Sequence, residues 1–215
     1  VDLEGVLHGV DILRAAGAGK EIKLGKKVIV IGGGNVAFDV ARTCVREGVR
    51  DLTMVVLENR EELPADDIEY DEGREEGIKV LLRLGPKRIL GESGRVVGLE
   101  TLDVESVFDA EGRFNPKFYG GTEKRLEGDT VILTIGQSSD LSLLAKEDGL
   151  QVGRGGALAV DEDGVRTNVQ GVFVAGDVAK GPKLLIDALA SGRRAAEAIH
   201  VFLSKERVRR RVTWR

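Results

Sequence analysis

The stretch Lys27-Val28-Ile29-Val30-Ile31-Gly32-Gly33-Gly34-Asn35-Val36-Ala37 decides how this chain is read. Four consecutive β-branched residues after Lys27 predict a central parallel strand buried on both faces. Three glycines halt it. From Val36 onward the apolar positions Val36, Ala37, Val40, Ala41, Cys44 and Val45 recur at helical spacing, and Gly48 stands just past the end, where a C-cap falls. Leu52 to Leu57 then predicts a second strand that ends at Glu58. Strand, glycine loop, helix, strand and terminal carboxylate, in that order, are the context in which a G-x-G-x-x-G/A loop reads as a dinucleotide site.

Each position in that loop has a physical task. Gly32 permits the tight turn, Gly34 lets a pyrophosphate approach the backbone, and the small Ala37 lets the helix pack on the strand. The free N–H groups at the helix start, with the helix dipole, hold the phosphates. Gly32, Gly33, Gly34, Asn35, Val36 and Ala37 are thus the candidate phosphate loop, with Asn35 capping the helix or touching the pyrophosphate. Glu58 is placed to accept hydrogen bonds from the adenosine ribose hydroxyls, which favours NAD(H) and repels a 2′-phosphate. Arg60 points the other way, because a guanidinium can swing onto that phosphate. Three other readings stay open: a glycine-rich turn without a ligand, a methyltransferase loop, and an acidic surface helix to which Glu58 and Arg60 simply belong.

Composition narrows the function classes. The 215 residues are 42% apolar, enough for a real core. No apolar run approaches the ~20 residues of a membrane-spanning helix, and residues 1–5 are not a signal peptide, so the expected location is cytoplasmic. The lone cysteine, Cys44, excludes an internal disulfide, a Cys-x-x-Cys pair and a cysteine-ligated cluster made by this chain alone. Redox chemistry must then belong to a bound cofactor. A formal charge of −4 argues against nucleic-acid binding by the body of the protein. Residues 205–215 form a basic tail. His8 and His200 have no motif beside them, and Tyr70 and Tyr119 are followed four residues on by Arg74 and Glu123, so no Tyr-x-x-x-Lys pair is present.

The rest of the chain predicts the following order. Glu58 to Glu76 holds ten carboxylates against Arg60 and Arg74 and reads as a solvated helix opened by Pro64. Ile78 to Leu84, a turn at Gly85-Pro86, Arg88 to Leu90, a turn at 91–94 and Val96 to Val107 read as an antiparallel meander. Residues 108–128 read as a long loop, and Thr130 to Ile135 as a buried strand halted at Gly136. Leu150 to Val160 reads as a small hairpin and Gly171 to Ala175 as a buried strand closed by Gly176-Asp177. A final helix places Leu184, Leu185, Ala188, Leu189, Ala195, Ala196 and Ile199 on one stripe, with Gly192 where a backbone approaches closely.

Four strings in this order, KVIVIGGGNVAFD at 27–39, REELPA at 60–65, DTVILTIGQ at 129–137 and GVFVAGD at 171–177, resemble the small (β) subunit of glutamate synthase and related flavin-dependent pyridine-nucleotide oxidoreductases. The resemblance spans residues 1–203. It implies an α/β fold: a Rossmann-like, three-layer dinucleotide-binding domain with a parallel sheet and a β-meander, followed by part of an FAD-type α/β domain. Residues 1–24 would connect from a missing FAD-domain half, 25–138 form the NAD(P) domain, 139–203 form the returning half of the FAD domain, and 204–215 form the basic tail. Gly136, Gly176 and Asp177 would be cofactor-binding, with Asp177 bonding the ribityl or pyrophosphate region of FAD. The helix beginning near Lys183-Leu184, with Leu184 and Leu185 as cofactor-binding residues, would aim its N–H groups at the flavin's pyrimidine edge. For Gly176-Asp177 an ordinary strand-ending turn is the competing reading.

Departures from the family pattern also matter. Members that use NADPH usually carry two arginines where this chain has Leu57-Glu58, so NAD(H) is favoured over NADP(H). No second strand–glycine–helix unit supplies the first FAD-phosphate loop, and the cysteine-rich iron–sulfur domain often found upstream in relatives is absent. The expectation is a fragment, or a partner-dependent part, of an enzyme passing a hydride between NAD(P)H and FAD. Its expected partners are a nicotinamide nucleotide and a flavin, iron–sulfur or acceptor domain outside this chain. A non-catalytic NAD(H) sensor or docking module is the alternative, distinguished by whether the Gly176-Asp177 half has a purpose.

Overall fold

In the computed structural model, which describes residues 2–212 apart from the side chains of 154 and 205–212, the predicted strand is β2 (Lys27–Ile31). It stands in the middle of a five-stranded sheet. The sheet also contains β1 (Val6–His8), β3 (Asp51–Val55), β4 (Lys79–Leu81) and β9 (Thr130–Leu133), in the order β1-β9-β2-β3-β4, with every pairing parallel.

Both faces of β2 are covered, which explains its unbroken apolar run. Val28 and Val30 face α1 (Gly9–Gly17) and α2 (Asn35–Arg46), packing with Ile12, Phe38, Val40 and Cys44. Ile29 and Ile31 face the opposite way, toward Leu84, Val96 and Leu99 of an antiparallel sheet. That sheet is built from β5 (Leu84–Glu92), β6 (Arg95–Phe108), β7 (Phe114–Phe118) and β8 (Lys124–Glu127), with β6 pairing all three others. Helices, parallel sheet and antiparallel sheet form the expected three layers. The helix α3 (Asp67–Glu75) packs against α2.

Several local expectations change. Residues 1–24, read as connecting chain, carry the edge strand β1 and the helix α1, whose Gly9 sits so close to Thr134 and Val40 that a Cβ would reach to 2.6 Å of Thr134 Cγ2. β3 ends at Val55, three residues short of Glu58. Gly85-Pro86 is not a turn but lies inside β5, where the register shifts between Pro86 and Arg88. Residues 108–128 are not one long loop; they contain β7 and β8, whose partners on β6 lie too far back in sequence for local periodicity to reveal. Pro64 does not open a helix. Asp66 is the N-cap of α3, because residues 59–65 are held in a different conformation by Asn59, whose side-chain oxygen accepts from the amides of Glu61 and Glu62. The acidic face of α3 is only partly solvated: Arg42 of α2 pairs with Glu69, Glu72 and Glu76.

The chain divides into two compact units, Val1–Ile135 and Gly136–Arg215. The second has little regular structure before its end. Val152 and Leu158 make one antiparallel bridge where a hairpin was expected, and Arg166 and Phe173 make another. Gly171 to Ala175 is therefore not a buried strand; Phe173 and Ala175 are only half-buried. A short helix α4 (Asp177–Lys180) and a long helix α5 (Leu185–Val212) follow. The apolar stripe expected on α5 is mostly exposed, with Leu185 at 78%. Of that stripe Ala195 is buried, and the buried face runs through it with Ser191 and Ala198, joined by Phe202, which meets Phe173 edge-to-face at 5.7 Å. Small residues let the helix lie close there. Gly192 has no neighbour within 4 Å of its Cβ direction among the described residues, so it does not mark a close approach. The basic tail lies almost wholly outside the residues whose side chains are described. Among the described residues no helix is long and apolar enough to cross a membrane, and no group of three or more His, Cys, Asp or Glu residues could hold a metal ion.

Candidate functional site

The phosphate loop leaves the C-terminal end of β2, beside the ends of β9 and β3. Its three glycines are needed for three different reasons. Gly32 has φ +140° and lies against the end of β9, where a Cβ would stand 2.7 Å from the Thr134 carbonyl oxygen. Its N–H donates to the Val55 carbonyl at 3.0 Å. Gly33 is pressed from the β3 side: a Cβ would meet Val56 Cγ1 at 2.6 Å, Leu63 Cδ1 at 3.1 Å and Glu58 Oε2 at 3.2 Å.

Gly34 differs from both. It is the N-cap of α2 with φ −87° and ψ 171°, an extended conformation open to any residue, and nothing lies within 4 Å of its Cβ direction. Neither backbone conformation nor packing within the chain calls for glycine there. Its lack of a side chain keeps a space open in front of the helix start, as a cradle for a phosphate requires. No acceptor among the described residues takes the amides of Asn35 and Val36. Ala37 is fully buried against the sheet, as its small size predicts.

Asn35 is not a capping residue, because the cap is Gly34 and its side chain is engaged elsewhere. Asn35 Nδ2 donates to Asp66 Oδ2 at 2.9 Å, and the Asp66 amide donates to Asn35 Oδ1 at 2.8 Å. The Ala65 amide donates to the Gly33 carbonyl at 3.1 Å. The segment 59–66 is thereby strapped across the glycine loop.

Glu58 starts that strap. It is 9% exposed, and no salt bridge or side-chain hydrogen bond among the described residues reaches its carboxylate. Burial pushes its pKa above the ordinary carboxylate range. The donor that favours its ionised form is its own backbone amide, which leaves the carboxylate able to accept further hydrogen bonds. Its backbone is fixed, since the Arg83 amide donates to the Glu58 carbonyl and the Val104 amide to that of Arg83. Leu57 turns away to pack against Gly85. Arg60 lies over the Tyr70 ring at 4.2 Å and pairs with Asp67 at 2.6 Å, which holds it on the α3 side.

In the second unit, Gly136 has φ +110° with open space around it. Gly176 has φ +72°, and its amide donates to the buried Ser191 hydroxyl at 3.1 Å. Asp177 is exposed and enters no salt bridge among the described residues. Leu184 and Leu185 stand exposed at the start of α5, whose first free amides face no acceptor among the described residues. Sequence reasoning missed Leu63, Asp66, Arg83 and Thr134, all brought to the loop by contacts distant in sequence. Leu63 and Thr134 had a signal, since they lie inside the REELPA and DTVILTIGQ strings.

The profile of the pyridine nucleotide-disulphide oxidoreductases matches residues 1–192. Among curated proteins, the chain is 36% identical over 202 residues to the NADP(+)-dependent formate dehydrogenase subunit beta of Moorella thermoacetica, covering 93% of this chain and 28% of that protein. It is 35% identical over 180 residues to the glutamate synthase [NADPH] small chain of Azospirillum brasilense, covering 83% and 37%. The chain thus spans only about a third of the length of these relatives. Among solved structures it resembles T. acidophilum thioredoxin reductase, with a TM-score of 0.67 and 25% identity over 92% of this chain and 57% of that one. FprA from Mycobacterium tuberculosis shares the fold at a TM-score of 0.75 and 16% identity, covering 96% and 60%. With a strand–glycine loop–helix unit whose last glycine, Gly34, faces open space among the described residues, and a family profile that runs through nearly the whole sequence, the chain belongs to the pyridine nucleotide-disulphide oxidoreductase family.

Proposed function

We propose that residues 25–138 bind NAD(H) and that the chain is the nicotinamide-binding part of a flavin-dependent oxidoreductase, an electron-input module like the glutamate synthase small chain. The observation that carries this reading is the largely buried Glu58 carboxylate, which no other side chain among the described residues bonds, beside the loop in which Gly34 faces open space. In this reading the amides of Asn35 and Val36 bind the pyrophosphate and Glu58 accepts from the ribose 2′- and 3′-hydroxyls. A nucleotide held by these groups would supply the hydride chemistry toward FAD. The protein's own groups orient the nicotinamide and exclude water rather than acting as acids or bases.

Residues 139–203 contribute to the FAD site in this proposal, with residues 1–24 as the connection and 204–215 as a basic tail. Asp177 is free to accept hydrogen bonds from the flavin's ribityl or pyrophosphate region, and the open start of α5 offers N–H donors. The remaining FAD contacts and the onward acceptor, an iron–sulfur or substrate domain, belong to polypeptide outside these residues. The names of the relatives carry NADP(H). The preference for NAD(H) proposed here rests on Leu57 and Glu58 standing where NADPH users carry arginines, and on Arg60 being held by Asp67 and Tyr70.

Calorimetric titration of the chain with NADH and with NADPH tests the proposal. NADH binding tighter by about tenfold supports it, a charge-assisted hydrogen bond being worth that much or more. Equal affinities, or tighter NADPH, overturn the NAD(H) preference. Failure to bind either overturns the whole reading. In a thermal-shift assay NADH at ~100 times its Kd should stabilise the chain by about 2.7 kcal/mol, and S-adenosylmethionine should not.

A further inference from the structure

Among the described residues Glu58 has no side-chain partner to hold it, so what places its carboxylate there is backbone. On one side that backbone is clasped by the Arg83 amide. On the other it continues into the strap 59–66, whose far end is tied to the glycine loop. That tie consists of the Ala65 amide on the Gly33 carbonyl and of the reciprocal pair between Asn35 and Asp66. The strap has internal support as well. Asn59 caps the amides of Glu61 and Glu62, and Leu63 lies against Gly33 next to the Glu58 carboxylate.

The Asp66 carboxylate has a narrow role within this arrangement. Asp66 is the N-cap of α3, yet its side chain makes no capping hydrogen bond. Its one side-chain hydrogen-bond partner among the described residues is Asn35, thirty-one positions earlier in the chain. A carboxylate in a position that usually caps a helix is here turned to the phosphate loop instead.

We infer that the Asn35–Asp66 pair is a specificity-determining latch, setting the spacing between the phosphate loop and Glu58 so that a ribose 2′-hydroxyl fits and a 2′-phosphate does not. The inference rests on the proposed NAD(H) site. Asn35 and Asp66 are positioning residues in it, acting through Glu58. A nucleotide anchored by its pyrophosphate at the helix start presents its ribose at a fixed distance, so a strap that drifts by a fraction of an ångström weakens the ribose hydrogen bonds while leaving the phosphate contacts in place.

The test is calorimetric titration of the full chain with NADH and NADPH in wild type, Asp66→Ala, Asp66→Asn and Glu58→Gln. Asp66→Ala should raise the NADH Kd about tenfold while changing that for NADPH less than about twofold. Asp66→Asn keeps an oxygen for Asn35 Nδ2 and its own amide, and should recover most of the wild-type ratio. Loss of structure alone would weaken both nucleotides alike, so the ratio separates a latch from a scaffold. If Asp66→Ala does not fold, Asn35→Ala severs the same pair and carries the same expectation for the ratio. An unchanged ratio in the alanine variant, with a reduced ratio in Glu58→Gln, overturns the latch while leaving Glu58 as the ribose ligand. A wild-type chain that shows no preference for NADH overturns the proposed site, and the latch with it.

Discussion

Glu58 Oε2 lies 3.2 Å from where a Cβ on Gly33 would stand, so the second glycine of the loop and the acid after β3 occupy adjoining space. The same Cβ would stand 2.6 Å from Val56 Cγ1, a fully buried atom group that cannot move aside cheaply. Gly33→Ala is therefore expected to cost about 2 kcal/mol and lower Tm by roughly 5 °C, read by differential scanning calorimetry. Gly34→Ala meets no neighbour among the described residues and should leave Tm nearly unchanged while weakening NADH binding, because the added methyl would enter the space proposed for the phosphates. A Gly34 variant that binds NADH as wild type does would place the phosphates elsewhere.

The raised pKa of Glu58 has a sign that can be checked. Burial favours the neutral acid in the folded state, so at neutral pH the ionised side chain opposes folding, and the penalty is relieved as pH falls through the raised folded value. Glu58→Gln should be more stable than wild type at pH 7, with the difference shrinking on acidification in urea titrations. NADH affinity should move in the opposite sense, weakening as the carboxylate is protonated. Glu58→Arg should shift preference toward NADP(H), and unchanged relative affinities would count against Glu58 as the ribose ligand.

Arg42 ties α2 to α3. Its side chain is 15% exposed and meets Glu69 and Glu76 at 2.9 Å as well as Glu72. Arg42→Ala leaves three neighbouring carboxylates without their shared cation and should cost about 2–3 kcal/mol at pH 7. Burial alone would raise the Glu76 pKa, but hydrogen bonds from Arg46 and Arg42 outweigh it and hold it below the ordinary range. That stabilisation is fully present above the unfolded carboxylate value and is lost as pH falls through the depressed one. The gap between wild type and Arg42→Ala in urea midpoint should accordingly narrow on acidification.

Cys44 is fully buried in the α2 core, and burial pushes its thiol up to about 12. In the native protein it should resist Ellman's reagent at pH 8 and react with one equivalent only after denaturation. Rapid modification of the folded chain would mean that α2 opens locally.

The division between what was legible and what was not follows the range of the interactions. Lys27 to Arg46 was read almost residue by residue, because a doubly buried strand, a glycine break and an amphipathic helix each leave their mark within a few positions. The sequence of β7 and β8 has the character of a loop because their pairing with β6 is non-local, and β-strand preference without the partner is weak. On α5 the sequence predicts a stripe from Leu184 to Ile199; its large residues are exposed and Ala195 alone of it is buried, beside Ser191 and Ala198, so hydrophobicity does not pick out the packed face.

By itself, the sequence determined the strand–loop–helix unit, its glycines and the acid that follows β3, since these depend on backbone sterics and local periodicity. Tertiary structure alone decided which glycine is pressed by β9, which by β3 and which faces open space, and that Asn35 serves Asp66 instead of capping its own helix. Those outcomes depend on residues about twenty to a hundred positions apart meeting at the ends of the central strands, and no local pattern encodes such a meeting.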